Sequence, residues 1–171
     1  DVWKRHPVFE PHYKNTGPVP ILYSSGNVVI KRHVLDAMPQ PFLEPKFNFI
    51  GGGDSDFYRR CQTKGFTFGW CNEAPVLEDV PERRSTFRWV NARSYRNGAI
   101  SAIIETRISN NRAKTIAKSL LLLGASPFRS LRSAIEHKSL IIGLYHMQIA
   151  VGRILAEFGI INEQYRNPEA N

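Results

Sequence analysis

The apolar positions of this chain fall into two regimes that change near residue 81. Before it, hydrophobic residues come in short runs broken by Gly and Pro; after it, they recur at helical spacing over long stretches. Residues 1–20, rich in Pro, His and aromatics without a period, read as an extended entry segment. Ile21-Leu22-Tyr23 and Asn27-Val28-Val29-Ile30 have the β-branched and aromatic character of strands, with Ser24-Ser25-Gly26 as a bulge or turn between them. Residues 31–38 predict a short helix stopped by Pro39 and Pro41, and residues 42–50 form an apolar-aromatic loop running into Gly51-Gly52-Gly53.

A second helix is predicted from Asp54. Asp54 or Ser55 serves as N-cap, Asp56 sits in the first turn, Arg59, Arg60 and Lys64 follow, and Gly65 supplies the stop. Phe66, Phe68 and Trp70 alternate with Thr67, Gly69 and Cys71 as in a strand, and Pro75-Val76-Leu77 suggests another. Residues 82–107 read as an Arg-rich helix with a break at Asn97-Gly98. Residues 113–123 and 128–136 read as two helices separated by Gly124-Ala125-Ser126-Pro127. In the last helix Leu140, Leu144, Met147, Val151, Leu155 and Phe158 make one apolar face, expected to pack on the core.

Composition narrows this picture. The 171 residues are 42% hydrophobic, enough for one packed core with a helical appendage. The 23 Lys and Arg against 15 Asp and Glu leave a net charge of +8, which calls for an anionic partner such as nucleotide diphosphate, phospholipid or nucleic acid. Cys61 and Cys71 lack zinc spacing and read as reduced core thiols. The longest apolar runs, residues 120–123 and 140–144, are too short for a membrane span, and none is predicted.

Chemistry concentrates in Gly51-Gly52-Gly53-Asp54-Ser55-Asp56. Three readings of this segment are open: an ordinary helix cap, a DxD pair holding a divalent ion, or a general base presented at the lip of a cleft. Its neighbours favour the third. Ser25-Gly26-Asn27-Val28-Val29-Ile30-Lys31-Arg32, the glycine-aspartate helix start, Cys71-Asn72-Glu73-Ala74-Pro75-Val76 and Ser85-Thr86-Phe87-Arg88-Trp89 follow in that order. Over residues 17–98 this resembles glycosyltransferase family 2, whose members show a GN-plus-apolar strand, a G-G-E-D-x-D helix start, an E-A strand, a V-P turn and an R-W helix.

The resemblance implies an α/β fold: the second half of a GT-A sheet over residues 1–98, followed by a basic, amphipathic helical region over residues 99–171. It implies an inverting transfer of sugar from a nucleotide-sugar donor to a carbohydrate or lipid-linked acceptor, in polysaccharide biosynthesis of the cell envelope. Asp54 takes the role of catalytic base, with Gly52, Gly53, Asn27, Arg88 and Trp89 at the substrate and Glu78 as a candidate metal ligand. Magnesium or manganese would accompany the donor in a full-length enzyme. No cofactor is expected for this stretch alone, which lacks the donor-side half and should not turn over by itself. Two departures stand out: Gly53 replaces the family glutamate, and Ser85 replaces the Gln of the processive Q-x-x-R-W motif, which favours addition of a single sugar. The basic C-terminal helices suggest a peripheral, cytoplasmic position at the inner face of a bacterial plasma membrane. The rival reading is a basic helical module on nucleic acid or a membrane surface without catalysis; no nucleic-acid motif supports the former.

Overall fold

The computed structural model describes residues 3–10 and 12–166. Two short strands, β1 (Gly17–Val19) and β2 (Phe68–Trp70), pair antiparallel with Pro18 opposite Gly69, and the helices are α1 (Arg32–Ala37), α2 (Gly53–Thr63), α3 (Phe87–Ser109), α4 (Arg112–His137) and α5 (Leu140–Glu157). The fold is therefore mainly helical, and the expected α/β architecture with half of a GT-A sheet is not present.

The reason lies in how the predicted strands satisfy their backbone. Residues 21–23 and 27–30 form no strand and join no ladder. Carbonyls between residues 20 and 24 turn instead to side chains of α2 and its surroundings. Gln62 donates to Pro20 O at 2.8 Å, Ser55 to Tyr23 O at 3.3 Å, Tyr58 to Ser24 O at 3.4 Å, and Tyr13 to Ile21 O at 2.7 Å. Carbonyls of this stretch thus find partners without neighbouring strands. Residues 75–77, also expected as a strand, are exposed and unpaired in sheet, whereas β1 arises inside the segment read as a looping entry.

Apolar burial supports α2 on both sides. Ile21, Met38, Phe57, Tyr58 and Cys61 form one cluster, with Val28, Ile30 and Phe68 packed against it. Phe47, Ile50, Ile100 and Ile104 form a second one between the loop before α2 and the helix α3. Cys61 is buried as expected, whereas Cys71 is exposed; both are free thiols.

In the C-terminal half, two predicted breaks do not occur. Helix α3 runs through Asn97-Gly98 because the missing side chain is what lets α5 cross: a Cβ on Gly98 would stand 2.1 Å from Ile149 O, and one on Gly152 would stand 2.0 Å from Tyr95 O. Helix α4 runs through Pro127. Proline deprives the Leu123 carbonyl of its helical donor, and the Ser126 hydroxyl donates to that carbonyl at 2.8 Å instead. Asn110 and Lys138, both left-handed, end α3 and α4.

Candidate functional site

The triple glycine does what its composition requires. Gly51 (φ 79°) and Gly52 (φ 88°) are left-handed, a conformation that strains other residues, and a Cβ on Gly52 would press to 2.4 Å from Ile100 Cγ2. Helix α2 begins at Gly53 with Gly52 as its N-cap, so neither Asp54 nor Ser55 occupies the capping position. Asp54 lies in the first turn, half-buried, and its Oδ1 accepts the Ser55 N–H at 2.8 Å. A carboxylate there gains from the positive end of the helix while one oxygen stays free for chemistry.

Asp56 lies in the first turn as expected, but turned inward. It is fully buried, and its Oδ2 receives Arg60 Nε at 2.9 Å and Arg107 Nη1 at 2.8 Å; Arg107 also grips Glu44. That hydrogen bond from Arg107 holds the Glu44 carboxyl below its ordinary range. The network ties α2 to α3 and commits Oδ2 of the second carboxylate of the Asp54-Ser55-Asp56 pair, while its buried Oδ1 has no partner. Those two carboxylates do not share a metal position.

Asp54, Gly51 and Gly52 line a broad cleft of about 1900 Å³ that also takes in Asn27, Glu78, Arg93, Arg96, Tyr145 and Tyr165. Burial and the nearby Asp54 charge push the Tyr58 hydroxyl up to about 12, so this tyrosine stays protonated beside the carboxylate at neutral pH. On the α3 side, Arg96 is 2% exposed, its Nε and Nη1 have no hydrogen-bond partner, and its guanidinium lies 4.9 Å from the Tyr165 ring. Arg93 donates to the Tyr165 hydroxyl at 3.0 Å. Tyr165 in turn is anchored by its backbone N–H to Phe49 O, two residues before the glycine turn. A Cβ on Gly51 would meet both Tyr165 and Arg96 Nη1, which places the arginine pair directly behind the turn. A buried guanidinium with open donors is an anion receptor in chemical terms.

Of the remaining residues singled out from the sequence, Asn27 and Glu78 line the cleft, and Gly53, Arg88 and Trp89 do not. Asn27, exposed, donates through Nδ2 to Ala74 O at 2.8 Å and joins two loops. Gly53 packs beside Leu43 and Phe47. Arg88 is exposed, and Trp89 stacks on Phe9 at 5.8 Å with Arg84 and Arg93 against its ring. The exposed Glu78 faces the Arg84 guanidinium at 3.8 Å, and no trio of His, Cys, Asp or Glu converges among the described residues. Arg93 and Arg96 belong to the basic run noted from sequence, but their approach to the glycine turn depends on Tyr165 folding back from the far end of the chain. No local pattern encodes that. The chain matches no protein-family model, and neither curated proteins nor solved structures show significant similarity to it.

Proposed function

We propose that the chain carries the acceptor-side machinery of an inverting sugar transferase acting on a nucleotide-diphosphate donor. The observation that carries this reading is the juxtaposition of a half-buried Asp54 on a left-handed glycine turn with the unpartnered Arg96 guanidinium in the same cleft. Asp54 takes the proton of an acceptor hydroxyl as that oxygen attacks the anomeric carbon. The bond from that carbon to the diphosphate oxygen breaks, and Arg96 with Arg93 balances the charge on the departing diphosphate. Glycines at 51 and 52 keep the approach to Asp54 clear of side chains. The order of sequence motifs over residues 17–98 supports the same reading; it does not depend on a GT-A sheet. Around Glu78 the residues present do not suit a divalent ion, because the carboxylate faces a cation and no second acid joins it. No step here is routed through a metal.

The test measures nucleoside diphosphate release from a panel of sugar nucleotides by the full translation product containing these residues. Asp54→Asn is expected to lower release about 100-fold or more at unchanged folding, in line with loss of a general base. Arg96→Ala is expected to raise the donor KM. Wild-type turnover in Asp54→Asn would remove Asp54 as the base.

A further inference from the structure

Helix α4 is divided lengthwise into three stripes. Advancing about 100° per residue, Leu120, Leu121, Phe128, Leu131 and Ile135 fall within one arc of about 100°, and all five are exposed, Leu121 and Phe128 to 74% and 73%. Lys114, Lys118, Arg129 and Arg132 fall in the adjoining arc, also exposed. The third arc holds Thr115, Ser119, Ser126, Ser130 and Ser133, and all of these are buried. The polarity is inverted relative to a helix packed on a water-soluble core, where the apolar stripe faces inward.

Helix α5 shares the inversion only in part, since Ile142 and Ala150 are buried beside its polar and small residues. Gly143, Gly152, Gln148 and Arg153 are buried, and Arg153 is held by Ser119, Ser101 and Glu105, while Leu140 and Phe158 stand exposed at the two ends of the apolar stripe. Small residues set the contact: a Cβ on Gly143 would fall 2.6 Å from Ser130 O. Serines and glycines at the helix contacts with large apolar residues outside is the arrangement expected where the surroundings are themselves apolar.

We propose that the outer face of α4 docks on an anionic lipid bilayer, lying in the interface with Leu121, Phe128 and Leu131 inserted. The proposal stands independently of sugar transfer. Charge selects this occupant. Between residues 112 and 153 the only carboxylate is Glu136, which is already paired with Arg132, whereas exposed Lys and Arg run along one edge of the apolar stripe. A second copy of the chain on the same face would bring those cations against one another; anionic headgroups would neutralise them while the adjoining stripe meets acyl chains. By length and composition alone α5 is apolar enough to cross a bilayer. Its buried Arg153, locked to Glu105 of α3, fits a helix held in a folded bundle on the surface.

The test is co-sedimentation of the 171-residue chain with phosphatidylcholine vesicles, with and without phosphatidylglycerol. Binding is expected to be about 10-fold tighter or more with the anionic lipid. Replacing both apolar side chains with Leu121→Ser and Phe128→Ser should weaken it about 10-fold at unchanged far-ultraviolet helicity. A Phe128→Trp variant should show blue-shifted emission quenched by brominated acyl chains. Absence of vesicle binding would overturn the proposal, as would undiminished binding of the double serine variant, which would reduce the contact to charge alone. A dimer dissolved by the same two serines, with no vesicle binding, would assign the face to a second copy.

Discussion

The region from residue 13 to 80 and the three helices α3 to α5 solve the burial problem in opposite ways. In the first, elements are short, apolar side chains such as Phe57 and Ile21 go inside, and polar side chains of α2 reach out to loop carbonyls. In the second, elements are long; α3 still buries Val90, Ile100 and Ile104, but on α4 and where it meets α5 serine, glycine and a buried arginine occupy the contacts while leucine and phenylalanine of α4 face outward. The difference teaches that hydrophobicity predicts the inside only where an element must make its own core against water. Between long helices the deciding quantity is how closely two backbones can approach, which small residues control.

The most severe way to break the comparison is to cut the link between the regions. Asp56 on α2 is that link, through Arg107 on α3. Asp56→Ala leaves Arg60 without its carboxylate and Arg107 with only Glu44, so unfolding by urea should show a loss of about 3–5 kcal/mol. Loss of one cooperative transition and appearance of two would show that α3 to α5 fold without the first region. Next in size is Gly152→Ala, a single methyl aimed at Tyr95 O from 2.0 Å. Separating α3 from α5 to admit it should cost about 3 kcal/mol. The same substitution at Gly124, where a Cβ meets nothing, should be neutral or slightly stabilising through helix propensity.

Sequence reading succeeded where signals were local and failed where the answer depended on a distant partner. Helix α2 was legible because the glycines, the acidic first turn, the basic end and Gly65 all agree within fifteen residues. Strands at 21–23 and 27–30 were not, because propensity marks extended backbone but says nothing of whether a neighbouring strand or a glutamine from α2 receives its carbonyls. Gly98 and Pro127 read as breaks from their own chemistry. Both are tolerated by something outside them: α5 crossing at the first, the Ser126 hydroxyl substituting at the second. The face of α5 through Leu140, Leu144, Met147, Val151, Leu155 and Phe158 is legible as a face, yet Leu140, Leu144 and Phe158 stand exposed while Met147, Val151 and Leu155 are half-buried, since periodicity locates a stripe without naming what covers it. For the site, the Gly51–Asp54 turn was readable, while the convergence of Arg96 and Tyr165 on it was not.

The smallest effect expected, and the one that sharpens the boundary between the regions, concerns His6. This residue lies far from the helices in sequence, yet it is fully buried, with its ring edge-on to Tyr145 of α5 at 5.5 Å and its Nδ1 accepting the Val8 N–H. Burial lowers its pKa from 6.5 to about 4, against a smaller opposing pull from the Ile141 backbone. Above pH 6.5 the imidazole is neutral in folded and unfolded chains alike, and its full contribution is present. As pH falls from 6.5 toward 4 the unfolded chain binds a proton that the folded one refuses, so stability is lost across that window and levels off below it. The loss should reach about 2 kcal/mol, less than the whole shift allows because the entry segment can undock before the helices open. Urea midpoints at pH 7.5, 6.5, 5.5 and 5.0 for wild type and His6→Gln isolate the residue, since His12 and His146, whose pKa values burial also lowers, are common to both proteins. Over that range the low-lying carboxylates Glu44 and Glu105 stay charged in the folded state. Parallel pH curves for the two proteins would mean that the entry segment is energetically separate from α5; a flatter curve for the variant would make His6 part of the helical region's stability.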